Sequence, residues 1–169
     1  MKLVEPTEKY KKSYLEALEE FRAEGSSEGA DFDLKGKNFA EMTRKYRENE
    51  KGKMLPPGFV PFSEFWLVKG SKFIGRLSLR HQLNDSLLRL GGHIGYAIRP
   101  NERKKGYGTK MLKLGLVEAK KMGIKRVLVT CKSWNTASRK VIESNGGIFQ
   151  DEVELENDVW EQRFWIENN

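Results

Sequence analysis

The chain has 169 residues, enough for one domain with a single proper core, and carries a net charge of +7 with one cysteine and two histidines. One cysteine, Cys131, excludes an internal disulfide framework and a cysteine zinc cage, and two histidines argue against a multi-ligand metal site. No apolar run approaches the roughly 20 residues of a membrane helix. The start, Met1-Lys2-Leu3-Val4-Glu5-Pro6, lacks the apolar stretch of a signal peptide, so a reducing cytoplasm and no membrane partner are expected. The lysines and arginines are spread along the chain with acids among them, which argues against a continuous nucleic-acid face. A polyanionic small ligand and a solvated basic surface account for the charge equally well.

In chain order, Thr7 is placed to cap a first helix running to about Ala23, with Tyr10, Tyr14, Leu18 and Phe21 on one face. Gly25-Ser26-Ser27-Glu28-Gly29 breaks it, and Asp31 to Lys35 is polar and irregular. A second helix near Asn38–Asn49 turns Phe39, Met42 and Tyr46 inward, and Pro56-Pro57-Gly58 marks a loop. Phe62–Lys69 reads as a strand and Gly70-Ser71 as a turn. Phe73–His81 alternates, with Phe73, Gly75, Leu77, Leu79 and His81 on one side and Arg76, Ser78 and Arg80 on the other. With the next strand at His93–Ile98 this predicts an antiparallel meander. If its last turn centres near Leu87, His81 falls opposite His93.

The densest signal follows that strand. Pro100 ends its ladder for want of an N–H, and Met111, Leu112, Gly115, Leu116 and Ala119 recur at helical spacing over 106–122, with Gly123 closing the helix. Between strand and helix lies Arg103-Lys104-Lys105-Gly106-Tyr107-Gly108, three cations beside two glycines. A helix start offers free N–H groups and partial positive charge, and glycine lets an anion approach the backbone, so the expected ligand is a phosphate or pyrophosphate. Arg126–Thr130 is a buried strand reached by a helical crossover and should run parallel to 93–98. A helix capped by Asn135 spans 135–145 and Gly146-Gly147 ends it, and Ile148–Glu154 and Val159–Glu167 are two final strands.

Arg103-x-x-Gly106-x-Gly108 between a strand and a helix, followed by a parallel strand, Asn135-x-x-Ser138 and Asn145-Gly146-Gly147-Ile148-Phe149, resembles the GNAT superfamily of acetyl-CoA-dependent N-acetyltransferases. Gly91-Gly92-His93-Ile94-Gly95-Tyr96 with the late Cys131 is similar to a bacterial branch of predicted acetyltransferases. The resemblance implies a single domain over 1–169 with its core motifs in 62–167. It also implies an α+β fold, a mixed, mostly antiparallel twisted sheet of six to seven strands flanked by about four helices, with two strands splayed at the cofactor site.

The same resemblance implies acetyl-CoA as cosubstrate, an amine-bearing acceptor and no metal. The backbone of Ala97, Ile98 and Arg99 would bond the pantetheine amides, and the N–H groups of Arg103, Lys104, Lys105, Gly106, Tyr107, Gly108 and Thr109 would hold the pyrophosphate. Asn135 and Ser138 would touch the pantetheine or the adenosine phosphate arm; Asn135 is equally a plain helix cap. In many members a tyrosine seven residues after the Asn protonates the leaving thiolate, and that position is Ile142 here. For the general base, His93 and His81 are the leading candidates, with Glu64 a third. Tyr96 and Tyr107 read as strand-core and helix-start residues. Because the last strands commonly dimerise in similar proteins, a homodimer is among the expected partners. An acyl-CoA-binding sensor without turnover and a basic nucleic-acid-binding module are the alternative classes.

Overall fold

The computed structural model describes residues 1–25, 38–53 and 55–169; the expected break after Gly25 and the irregular stretch near Asp31 lie outside them. Strand β1 (Lys2–Val4) is followed by a single 3-10 turn at Glu8–Tyr10, then helices α1 (Lys11–Ala23) and α2 (Phe39–Glu50). The meander β2 (Phe62–Lys69), β3 (Lys72–Arg80) and β4 (Ile94–Ile98) comes next, with a short helix α3 (Asp85–Arg89) before its last strand. Helix α4 (Tyr107–Lys121), β5 (Arg126–Lys132), α5 (Thr136–Glu143), β6 (Ile148–Glu154) and β7 (Trp160–Glu167) complete the chain. Among the described residues no helix is long and apolar enough to cross a membrane.

The strands form two sheets, ordered β1-β2-β3-β4 and β5-β7-β6, all of whose ladders are antiparallel. One face of the first sheet carries Leu67, Leu77, Leu79 and Ile94 into a core shared with Met111 and Leu112 of α4, Ile142 of α5, and Val127, Val129 and Phe164 of the second sheet. The opposite face receives α1 and α2. There Tyr14 stacks on Trp66 at 4.6 Å, with Phe39 and Phe73 edge-on around the pair. Aromatic pairs of this kind add roughly 0.5–1.5 kcal/mol each beyond their buried area.

The expected elements are present, with local corrections. Thr7 precedes the 3-10 turn without a side-chain cap bond, so α1 starts four residues later. Asn38 instead closes a complete capping box with Glu41. Phe73 does not share a face with Gly75 and Leu77. A register shift at Leu67/Val68 inserts Ile74, which sends Phe73 to the α1–α2 side and Ile74 to the other. The β3–β4 register also differs by one residue from that expected. Asn84 caps a helical turn within the connection, and Arg80, not His81, falls beside His93, with the Arg80 N–H donating to the His93 carbonyl at 2.8 Å.

Candidate active site

The two sheets are hydrogen-bonded to each other where β4 begins. The N–H of His93 donates to the Leu128 carbonyl at 2.8 Å, and the Leu128 N–H donates to Nδ1 of the His93 ring at 3.0 Å. The N–H of Gly91 adds a bond to Thr130 Oγ1 at 3.0 Å. Gly92, at φ 58°, permits this approach, because a Cβ there would lie 2.4 Å from the Leu128 oxygen. Past this junction β4 and β5 form no ladder, so the expected parallel pair exists only as its first rung and then opens.

Which backbone groups face the opening follows from the ladder. Arg99 N–H donates to Ile74 O and Arg80 N–H to His93 O, so the odd-numbered residues of β4 bond to β3. Alternation then turns the N–H and C=O of Ile94, Tyr96 and Ile98 toward the opening. Of the expected trio, Ile98 faces the cleft, while Ala97 and Arg99 turn their backbone groups to β3 and Tyr96 takes a place among the cleft-facing residues. The Arg99 side chain is buried against α1, bonding Glu20 Oε1 at 2.8 Å and Ser13 Oγ at 3.0 Å. Asn101 N–H also reaches Glu20, at 3.2 Å.

Beyond β4 the chain turns through Pro100–Glu102 and enters α4. Lys104 (φ 61°) and Gly106 (φ 74°) are both left-handed, and Gly106 stands at the helix start with no side chain to cap the first N–H groups of Tyr107, Gly108 and Thr109. Nothing lies within 4 Å of a Cβ built on Gly106, so space is open beside those donors. The Arg103 side chain pairs with Glu24 and donates to the Ile98 carbonyl at 3.1 Å, so that cleft-facing carbonyl already has a partner, and the Arg103 N–H donates to the Pro100 carbonyl at 3.2 Å. Lys105 folds back onto Asn101 O at 2.8 Å and Glu102 Oε2 at 3.1 Å. The bonds from Lys72, then Lys105, hold the buried Glu102 carboxyl below its usual range. Lys104 is exposed at the mouth.

On the far wall Asn135 Oδ1 accepts the Ser138 N–H at 3.0 Å and caps α5. The Tyr96 hydroxyl crosses from β4 to within 3.0 Å of Ser138 Oγ. Burial of Cys131, with the nearby Glu161 charge, pushes its thiol up to about 11, so it stays protonated at neutral pH. Ile142 is fully buried in the core.

His93 is 8 % exposed, and burial, then the Arg80 charge, lowers its pKa to about 4. Since Nδ1 accepts a hydrogen bond, the ring proton sits on Nε2. His81 does not join it: its Nε2 lies 2.9 Å from Ser63 Oγ, which donates to Glu50 at 2.7 Å. Glu64, Ser78 and Gly95 form one cross-strand row on the α1–α2 face. There the Ser78 hydroxyl donates to the buried Glu64, which pairs with Arg76 at 2.9 Å. A cleft beside Glu64 is lined by Thr43, Tyr46, Glu50, Ser63 and Phe65. The Ser78–Glu64 row and the Tyr96–Ser138 contact escaped the sequence reading because both depend on register and on the closeness of β4 to α5. Alternation alone already put Ser78 on the face opposite Leu77.

The model of the acetyltransferase (GNAT) domain matches residues 29–148. No curated protein matches the chain by sequence. Among solved structures, the microcin C7 self-immunity acetyltransferase MccE, in complex with acetyl-CoA and AMP, superposes with a TM-score of 0.69 at 16% identity, over 98% of this chain and 91% of that one. YncA of Salmonella typhimurium, with acetyl-CoA, gives 0.63 at 12% over 100% and 95%. The Salmonella typhimurium acetyltransferase that modifies the N-terminal serine of a 50S ribosomal subunit protein gives 0.64 at 13% over 98% and 93%. These structures share the fold of this chain. With the domain model spanning well over half of its length, the chain belongs to the GNAT family of acetyltransferases.

Proposed function

We propose that the protein transfers an acetyl group from acetyl-CoA to a primary amine by direct attack in a ternary complex. The observation that carries this is the opening that begins at the His93–Leu128 junction and ends at the uncapped, glycine-opened start of α4. In this reading the N–H groups from Lys104 to Thr109 hold the pyrophosphate, with Lys104 adding charge at the mouth; the Arg103 N–H, expected among them, is bonded to the Pro100 carbonyl instead. The open edge of β4, at Ile98 and Tyr96, bonds the pantetheine amides, with Asn135 and Ser138 on the facing wall. N–H groups on the same edge polarise the thioester carbonyl.

An ammonium has no lone pair, so the acceptor must lose a proton before it attacks. His93 was the expected base, yet its Nδ1 lone pair is engaged by Leu128 and its proton affinity is low. We assign it the opening of the cleft, and His81 the support of Ser63. The Ser78 hydroxyl, opposite Gly95 and bonded to Glu64, is the route we assign to the proton. The acceptor enters from the α1–α2 side.

Thermal-shift titration with CoA and acetyl-CoA tests the cofactor half, since a ligand of the folded state alone raises its melting temperature. No shift with either removes the proposal. Thiol release across a panel of small amines, polyamines and peptide N-termini tests the transfer. The buried Ile142, which offers no proton to a leaving thiolate, favours a second reading, an acyl-CoA sensor; that reading requires cofactor binding with no release from any amine.

A further inference from the structure

We propose that Tyr96 is the proton donor to the departing sulfur, acting from the β4 wall of the cleft with Ser138 as its partner. This rests on the reading of the cleft as an acyl-CoA site. The Tyr96 ring lies beside the start of α4, since a Cβ on Gly108 would come 3.9 Å from its Cε2. Its hydroxyl is 3.0 Å from Ser138 Oγ on the third residue of α5. A phenol from β4 and an alcohol from α5 thus meet across the opening.

The place of that point follows from the fold. A pyrophosphate at 104–109 sends its arm back along the open edge of β4, which rises about 3.3 Å per residue. From Arg99 to Tyr96 is three residues, about 10 Å of strand. The reacting end of the arm therefore arrives beside Tyr96, before the closed junction at His93. Helical geometry supplies a second argument. A side chain on a helix covers the turn N-terminal to its own Cα. Any donor carried by α5 at position 142 would have to deliver its hydroxyl over Ser138, one turn earlier. Ile142 carries no such group, and the Tyr96 hydroxyl already occupies that spot from the opposite wall.

The chemistry balances. The acceptor nitrogen bonds the acyl carbon, the carbon–sulfur bond breaks with its electron pair on sulfur, and the Tyr96 O–H proton passes to that sulfur. The phenolate recovers a proton from water through the Ser138 hydroxyl, and the acceptor's proton leaves by Ser78. A thiol near pKa 8.5 and a phenol near 10 differ little, so a positioned phenol donates to sulfur without a large uphill step.

The test needs no acceptor. CoA is bound to the protein, and its thiol is titrated by the ultraviolet absorbance of the thiolate. A hydroxyl that donates to sulfur stabilises the thiolate, so wild-type protein should hold the bound thiol about one pKa unit or more below that in Tyr96→Phe, which keeps the ring and its packing. Equal values in wild type and Tyr96→Phe, both with CoA bound, overturn the proposal. Failure of wild-type protein to bind CoA at all instead removes the acyl-CoA reading itself.

Discussion

Replacing His93 with Gln and following stability against pH isolates what the buried imidazole does. Its Nδ1 accepts the Leu128 N–H only while neutral, and burial, aided by Arg80, holds its pKa at about 4 against an ordinary 6.5. The unfolded chain therefore takes up a proton below about pH 6.5 that the folded chain refuses. This contribution to stability is fully present above that pH and drains away as the pH falls toward 4. At pH 5 the unfolded state is about 1.5 units below its midpoint, while the folded ring is still mostly neutral, so the loss from pH 7.5 to 5 is about 2 kcal/mol. Paired carboxylates such as Glu102, bonded to Lys72, and Asp151, bonded to Arg163, have lowered pKa values and lose their contribution only in stronger acid. Urea unfolding at pH 7.5 and 5 should show wild type losing about 2 kcal/mol more than His93→Gln over the interval. Identical pH dependence in the two proteins would refute the picture of a neutral imidazole joining the sheets.

Gly106→Asp places a side chain in a left-handed position and a negative charge among the α4 donors. The variant should fold yet lose the thermal shift with CoA, and an undiminished shift contradicts the anion seat. Arg99→Met strips Glu20 of its buried partner and should lower unfolding free energy by about 2 kcal/mol, less than the 3–5 kcal/mol of a fully buried pair because Glu16 and Glu20 keep some contact with water. A denaturation midpoint unchanged from wild type would deny α1 its hold on Arg99. Glu64→Gln should cut kcat at least tenfold with any amine that releases thiol, leaving KM for acetyl-CoA near wild type. A drop confined to KM would assign Glu64 to binding.

Most elements were legible in the sequence because each has its own local signal: period two in 73–81, period 3.6 in α4, the Asn135 cap, and glycines at the ends; the short β1 and α3 carry too few residues for such a signal and were missed. The glycine-opened start of α4 was legible for the same reason, since Gly106 and the cations around it are contiguous. Pairwise geometry was not. One inserted residue at Ile74 and one capped turn at Asp85–Arg89 suffice to change which side chains share a row. The capped turn is why His81 was set against His93; Ala97 and Arg99 were named from the resemblance alone, which does not say which residues of β4 bond β3. His93 drew attention as a titratable ring, and its use as a substitute for a backbone acceptor leaves no mark in composition or spacing.

The grip of α1 on Arg99 and Asn101 has a thermodynamic consequence. Ser13, Glu16 and Glu20 lie on the helix that covers the side we assign to the acceptor, and Arg99 and Asn101 lead directly toward the start of α4. An acceptor that displaces α1 must carry that loop with it or break those bonds. The free energies of the two binding events are therefore linked through α1, and by reciprocity each ligand changes the affinity for the other by the same factor. Loosening the clasp, as in Arg99→Met, should make the two affinities independent.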